Sequence, residues 1–568
     1  MKKFTSLMIA ASLLVPGVGV AKEARQSMML AGQEMAPQKR GQKVYANRSN
    51  ICESMAGIRK AAKKTNRKVA GSDPIYEAPE GKVVNYVREG LAYYTFWGYV
   101  IDAQYENIAT EVVECENGDV YLKNIITQYV TNTYIKGSKE GSTYVFDLPQ
   151  TIYTEDYFGE IYVYDLNLLQ YYAEDPELGG WFFTANSEEA AEMGLPEIEN
   201  KLVINLGEDG TMTYDPNPEV IVGMTMEDSW VGYAEINSYW TVLDESLPTP
   251  PEGLVTTEMA MIDGTDGHFA QVGFNDDEVW VKGFFSEAPN AWIVGSLDGG
   301  KVSFKSGQFL GSDDSYGYYT YFVAAESSIE WSDEYQQEVE YLNYRDALVF
   351  DYDADTQSFT TGENSYAAYN IDKNEVYFIS CYKSPTIEKQ PANISKVPAN
   401  PSDLVFYSDE YYTYLTFVLP MLNIDGELLH SENLYYKVFV DGDEFTFYPD
   451  EYECIYEDLT LVPYSFTDNW DISVSGSAHT VYFYFEGMDE LGVQLYYYED
   501  GEEVAASDLV TLNLESSGVE NMSTESQILS ERFFNVNGQE VSNPSNGIYI
   551  KTVKYSDGTS RVFKVVKK

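Results

Sequence analysis

Asp351-Tyr-Asp-Ala-Asp355 sets three carboxylates at alternate positions, the spacing with which a calcium loop begins. An EF-hand also needs glycine at the sixth place and a bidentate glutamate at the twelfth. Here Thr356 and Gly362 stand there instead. The competing reading is an acidic hairpin turn. A related earlier segment has Asn205 where Asp351 stands and continues as Gly207-Glu-Asp-Gly210, so it lacks the alternating carboxylates. Calcium through Asp351, Asp353 and Asp355 is the one cofactor the chain leaves open; no other is expected.

The nucleophiles and soft ligands are sparse. Cys52, Cys115, Cys381 and Cys454 lie far apart with no C-x-x-C, which supports neither a zinc site nor a redox dithiol. His268, His430 and His479 show no H-E-x-x-H or other paired spacing. No G-x-S-x-G elbow is present. The nearest string, Asp313-Asp-Ser315-Tyr-Gly317, lacks the first glycine. A glycosidase needs two carboxyl groups at a set separation, one with a raised pKa, and nothing singles out such a pair among 91 Asp and Glu. No catalytic residue is therefore assigned. The candidate binding residues are aromatic: Trp280, Trp292, Tyr318, Tyr319 and Tyr321 could stack on sugar rings from an exposed β-face, and core packing is the competing reading.

The elements that must carry these residues come in two copies. DDEVWVKG at Asp276 to Gly283 followed by AWIVGSLDGGKVSFKSGQFLG from Ala291 matches NGDVYLKN at Asn117 to Asn124 followed by TYIKGSKEGSTYVFDLPQTIY from Thr133. Ile135, Gly137, Phe146 and Gln150 fall on Ile293, Gly295, Phe304 and Gln308 at a constant offset of 158 residues. Val120 and Lys123 fall on Val279 and Lys282 at 159. Such spacing marks a duplicated unit. Alternation at Tyr144 to Phe146 and Val302 to Phe304, with the Asp298-Gly-Gly300 turn, reads as short antiparallel strands with one buried face. LVINLGEDGTMTY from Leu202 recurs as LVFDYDADTQSFT from Leu348, which extends each unit to about 150 residues, one ordinary domain. The short run Ser187 to Met193 is the one candidate helix.

Around this pair the chain changes character. Met1 to Ala21 reads as a secretory signal peptide cut after Ala21, with Lys2 and Lys3 ahead of an apolar run broken by Pro16. No transmembrane anchor is expected, and with no cysteine before Cys52 no lipid anchor either. From 22 to 68 twelve Lys/Arg face three acidic residues, which reads as a flexible leader or, alternatively, a patch for nucleic acid or anionic lipid. From Val69 onward 22 Lys/Arg face 88 Asp/Glu, a net of −66, and such a field repels nucleic acid and anionic membrane. Forty-nine tyrosines and 27 phenylalanines in alternating patterns argue for all-β domains. Prolines at 248 to 251 separate the copies, and Pro385, Pro391, Pro398 and Pro401 end the second.

The expected organisation is a signal peptide (1–21), a basic leader (22–80), β repeats at 81–247 and 248–395, a third domain (396–514), a linker (515–528) and a small C-terminal β domain (529–568). The third domain, with SDLVFY, YLTFVLP, LYYKVFVDGDEFTF and VYFYFEGMDELGVQLYYY, resembles a fibronectin type III or immunoglobulin-like sandwich. The last forty residues resemble a shortened form of the C-terminal sorting domain of Bacteroidota proteins exported by the Por, or type IX, secretion system. The residues that carry the likeness are the turn at Asn535 to Gln539 with Asn537 and Gly538, the strand Gly547-Ile548-Tyr549-Ile550, and the basic closing strand Arg561 to Lys567 with Lys564 and Lys567.

The expected fold class is thus all-β: tandem duplicated antiparallel domains, an immunoglobulin-like sandwich and a small β tail. The resemblance implies an exported protein at the outer-membrane surface or beyond, with the periplasm as alternative and the secretion machinery as a partner. The expected activity is non-catalytic binding or a structural role, with a glycan or a host or cell-surface protein as partner. The alternative is a carbohydrate-active protein.

Overall fold

The computed structural model describes residues 73–514 apart from short stretches, the longest being 172–180, and three further strands between 528 and 567. The signal peptide with Ala21, the leader up to residue 72, the linker, and Asn537 and Gly538 lie outside the described residues. So does most of the candidate helix, of which Glu188 and Ala191 are helical. The protein is all-β, in several antiparallel sheets. Among the described residues no helix is long and apolar enough to cross a membrane.

The chain divides into two compact units. The first is Met1–Ala399 with Pro420–Ser431 and Ser475–Ala478, and the second is Asn400–Leu419, Glu432–Val474 and His479–Lys568. In the first unit the earlier copy consists of β1 (Lys82–Phe96), β2 (Tyr99–Glu114), β3 (Asp119–Lys123), β4 (Tyr134–Glu140), β5 (Thr143–Asp147), β6 (Gln150–Glu155), β7 (Gly159–Asp165), β8 (Asn167–Tyr171), β9 (Trp181–Thr184), β10 (Lys201–Leu206), β11 (Met212–Tyr214), β12 (Val222–Met226) and β13 (Ser229–Val242). Pairing of β1 with β13 closes the order β1-β2-β3-β4-β5-β10-β11-β13 into an eight-stranded barrel, and β12, β7 and β6 continue outward from β13.

The later copy consists of β14 (Thr256–Asp263), β15 (Asp266–Asn275), β16 (Glu278–Lys282), β17 (Trp292–Asp298), β18 (Lys301–Lys305), β19 (Gln308–Ser312), β20 (Tyr319–Ser332), β21 (Gln337–Arg345), β22 (Ala347–Asp353), β23 (Ser358–Thr360), β24 (Ser365–Asn370), β25 (Phe378–Lys383) and β26 (Thr386–Glu388). Its closed barrel runs β14-β15-β16-β17-β18-β22-β23-β26, the same strand order, and β19, β20, β24 and β25, with β21 paired to β20, form the side sheet. One long strand, β13, serves both the barrel and the side sheet in the first copy. In the second it is broken into β25 and β26 at Ser384-Pro385, because proline cannot donate to a ladder.

Barrels of this size are filled by inward side chains. Ile135, Phe146, Ile204 and Trp240 fill the first, and Ile293, Phe304, Phe350 and Phe359 the second, all fully buried. The duplicated residues have duplicated jobs. Gln150 Nε2 donates to Lys136 O and Asp147 O and its Oε1 accepts from Lys136 N, while Gln308 makes the same three bonds to Val294 O, Lys305 O and Val294 N. Gly137 and Gly295 recur because the rings of Phe146 and Phe304 lie across them: a Cβ on Gly295 would sit 2.9 Å from the Phe304 ring. The repeat also reaches back into the linker, where Pro79-Glu-Gly81 recurs as Pro251-Glu-Gly253.

The second unit packs the sheet of Ser402–Ser408, Thr413–Val418, Ala478–Tyr482 and Ile472–Ser475 against a sheet built around Leu434–Val440 and Glu490–Glu499. Phe417 meets Tyr436 across the layers at 5.6 Å between ring centroids. At the C-terminal end Ile528–Asn535, Gly547–Tyr555 and Ser560–Lys567 form an antiparallel sheet in that order. Gly547, Ile548 and Tyr549 lie on its central strand, opposite Lys567, Val566 and Val565, and Lys564 pairs with Ile550.

Candidate binding site

On the outer face of the second barrel one row crosses four strands. Glu258 pairs with Gln271, Gln271 with Lys282, and Lys282 with Trp292. A carboxylate, an amide, an ammonium and an indole therefore project side by side, since directly opposed residues share a face of the sheet. The proline linker forms the facing wall. Leu254 sits on Gly273, where a Cβ would meet it at 2.9 Å, and its N–H donates to Pro251 O at 3.2 Å. Between linker and row lies an open pocket of about 410 Å³ lined by Pro250, Pro251, Leu254, Gln271, Lys282 and Trp292 among others.

Polar groups in the pocket are already oriented. Thr256 Oγ1 donates to Gln271 Oε1 at 3.1 Å, and Gln271 Nε2 donates to Glu258 Oε2 at 3.3 Å. Trp280 is buried beside Trp292, the rings 6.3 Å apart and at 74°, and its Nε1 donates to Glu278. Trp292 and Lys282 are half-buried, and among the described residues neither side chain has a hydrogen-bond or ion-pair partner. The arrangement offers an apolar platform and an uncompensated cation over a polar row, the composition of a site that orients a small polar ligand or a loop.

The other aromatic candidates are elsewhere. Tyr319 and Tyr321 are buried with Phe309, Val323 and Ala109 where the side sheet of the second copy meets the first barrel, and the Tyr319 hydroxyl donates to Thr110 O at 2.9 Å. Tyr318 is half-buried and bridges to Ile108. The five residues thus split: Trp292 lines the pocket with Trp280 packed against it, and three lie at a packing surface, not one aromatic strip.

The acidic turn is also used locally. Asp351 Oδ1 accepts from Lys301 Nζ at 2.5 Å, and Asp353 Oδ1 accepts from Asp355 N and Thr356 N at 2.8 and 3.2 Å, the pattern of an Asx turn closing a hairpin. These backbone bonds hold the Asp353 carboxyl below its usual pKa. Among the described residues no group of three or more His, Cys, Asp or Glu is placed to hold a metal ion. Cys115 and Cys381 are free thiols, and Cys52 and Cys454 lie outside the described residues. His268 Nε2 donates to Gly283 O, His479 Nε2 donates to Tyr464 O, and His430 stacks on Phe269.

No protein-family model matches the chain, and no curated protein matches it.

Among the described residues burial raises two carboxyl groups toward neutrality. Burial pushes Asp165 up to about 6, against hydrogen bonds from Ile221 N and Leu166 N. Burial pushes Asp263 up to about 7, with Asp266 adding to the rise and Lys383 N opposing it. Both carboxylates accept from backbone N–H groups, and neither lines the pocket.

A buried ion pair in the first barrel carries no recognisable motif. Arg88 and Glu235 are fully buried with an N–O distance of 2.5 Å. Arg88 also donates to Ile125 O and Ser238 Oγ, and its guanidinium lies 4.7 Å from the Trp240 ring centroid. Glu235 Oε1 accepts from Thr127 N, Thr127 Oγ1 and the Tyr233 hydroxyl. Burial works against the charge on Arg88, and Glu235 with the surrounding tyrosines outweighs it, so its pKa is raised. The visible sign was a single arginine within the alternating run KVVNYVREGLAYYTF.

Proposed function

We propose that the chain is a secreted or cell-surface, non-catalytic binding protein and that its ligand sits in the Lys282–Trp292 pocket. One observation carries this reading: a half-buried indole and a half-buried ammonium, neither with a hydrogen-bond or ion-pair partner among the described residues, face one preformed pocket. Export under the signal peptide ending at Ala21, and sorting to the outer-membrane surface through the C-terminal strands, complete the reading; the periplasm is the alternative location.

A second reading, a carbohydrate-active protein, draws support from the same place. Trp292 with Thr256 and Gln271 in the pocket lining, and Glu258 bonded to Gln271, provides a stacking surface and hydroxyl partners of the kind a sugar uses. The test is retention of the purified chain on mucins, matrix proteins and plant or microbial polysaccharides, with and without calcium, with released sugars measured in parallel. Retention that Trp292→Ala abolishes, without product, is the expected result. Released sugar would replace the first reading with the second. Retention that chelation abolishes would return Asp351, Asp353 and Asp355 to the site.

A further inference from the structure

The first copy shows what fills this row when it is filled. Val112 pairs with Leu122 as Val272 pairs with Val281, so one step along, Glu111 and Lys123 occupy the places of Gln271 and Lys282. Lys123 pairs with Tyr134 as Lys282 pairs with Trp292. Asn132, two residues before Tyr134, recurs as Asn290 before Trp292.

In the first copy every one of these groups is engaged. Lys123 Nζ lies 3.1 Å from Asp314 Oδ1, and Asn132 Nδ2 donates to the main-chain O of the same Asp314 at 3.0 Å. The Tyr134 hydroxyl donates to Glu111, and its N–H donates to Ile75 O at 2.8 Å. A lysine and an asparagine thus grip one aspartate by side chain and backbone. That aspartate sits on the turn Asp313 to Gly317, a tight loop whose N–H groups at Ser315 and Tyr316 are held by Asp313.

In the second copy the same donors stand open. Among the described residues Lys282 and Asn290 have no hydrogen-bond or ion-pair partner, and no bridge like that of Ile75 to Tyr134 forms at Trp292. The open space takes a loop and not another barrel. Ala109, whose N–H donates to Gly317 O on the turn of the next copy, corresponds by register to Phe269, and Phe269 is already covered by the His430 ring at 4.4 Å. Leu428 covers the neighbouring Gly267 in the same way.

We propose that the Lys282–Asn290–Trp292 row is a receptor for an aspartate-bearing tight turn of a partner protein, gripped as Asp314 is gripped by Lys123 and Asn132. The inference rests on the binding reading above and names the chemistry of its ligand. Lys282 takes the carboxylate, Asn290 the backbone carbonyl of the same residue, and Trp292 packs against the turn. A single carboxylate suffices against the acidic field of the chain, because charges beyond about 8 Å are screened at physiological salt.

The probe is a labelled synthetic peptide of residues 311–318, added to the full chain at millimolar concentration, the range in which a tethered loop is presented to its site. Fluorescence anisotropy should show saturable binding that falls about tenfold with Lys282→Glu, and about tenfold when the aspartate equivalent to Asp314 is replaced by asparagine. The Lys282→Glu chain should in turn bind a peptide carrying lysine at that place. Lys123→Glu should leave binding of the free peptide intact, which separates the open row from the filled one. No saturable binding, or binding indifferent to Lys282→Glu, overturns the inference. If neutral glycans are retained through Trp292 and the Lys282→Glu chain retains them equally, the inference fails while the binding reading stands. If neither peptide nor any panel ligand is held, both fail.

Discussion

The two barrels share a strand order and bury opposite chemistries at the same place. Arg88 pairs with Trp240 and Ile108, and Met261 pairs with Ile387 and His268, so arginine in one copy is methionine in the other. Val222 pairs with Glu235 where Ala367 pairs with Tyr382. The hydrogen bonds survive the exchange: Thr127 N–H donates to Glu235 at 2.6 Å, and Ser286 N–H donates to the Tyr382 hydroxyl at 3.1 Å. A scaffold that accepts either solution does not need the ion pair in order to fold. What it needs is an acceptor at that strand position for the loop N–H and enough volume to fill the barrel end. A buried pair and a packed apolar set are close in net stability, whereas half a pair is not.

The largest effect should come from making half a pair. Glu235→Gln or Arg88→Met alone leaves an uncompensated buried group and should cost about 3–5 kcal/mol in chemical denaturation. Arg88→Met with Glu235→Tyr imitates the second barrel and should recover most of the loss. If the double variant is no better than the sum of the singles, the two barrel ends are not interchangeable.

The second barrel has a part-buried carboxyl, Asp263, whose charge is opposed by burial and by Asp266 and only partly offset by Lys383. Its first hairpin turns early, at Asp263 to Asp266, where β1 and β2 run on to Phe96 and Tyr99. Burial raises the pKa of Asp263 to about 7, from about 4 for an ordinary aspartate. Folding therefore favours its protonated form. The contribution is fully present below about pH 4 and is lost as pH rises through about 7, by at most about 4 kcal/mol at about 1.4 kcal/mol per pKa unit. Asp263→Asn should flatten the stability profile of the chain across that window, and an unchanged slope would place the proton elsewhere.

Much of this was legible and some of it was not. The 158-residue offset located the duplicated strands because Gly137 with Phe146, and Gly295 with Phe304, must change together: a side chain at either glycine would strike the ring. The closed barrels were not legible, because closure depends on β1 meeting β13 and β14 meeting β26, long-range pairings that leave no local pattern. Arg88 and Glu235 carry no mark of burial in the sequence, since alternation alone does not distinguish an inward arginine from an outward one. Trp292 was picked out as an aromatic on a β-face. The residues that give it meaning, Lys282 and Asn290, acquire their significance only beside the filled pair Lys123 and Asn132. Tyr319 and Tyr321 were misleading for a related reason: aromatic residues two apart mark a face, and whether that face meets solvent or another domain is decided by the docking of the first barrel.

The glycines offer a smaller and graded comparison. A Cβ at Gly137 would come within contact distance of both the Val145 carbonyl oxygen and the Phe146 ring, whereas at Gly295 the nearest atoms, at 2.9 Å, belong to the Phe304 ring. A ring can shift more easily than strand backbone. Gly137→Ala should therefore cost more than Gly295→Ala, both within the range of about 1–3 kcal/mol for overpacking. Equal losses would mean that the ring, not the backbone, sets the limit in both copies.

The smallest effect should be the most informative about the two rows. Lys123 and Asp314 form a partly exposed pair, the lysine side chain 18% and the aspartate 67% accessible, so Asp314→Ala should cost under about 1 kcal/mol of stability. Lys123 then loses its carboxylate, while Asn132 keeps the main-chain O of residue 314 and the turn stays in place through Gly317 O on Ala109 N. The peptide of residues 311–318 should accordingly find one site per chain in the Asp314→Ala variant, as in the wild type, because the variant's own turn still covers the first row. A second site in the variant would mean that the Asp314 carboxylate alone holds the turn over Lys123 and Asn132, and that the two rows differ only in occupancy.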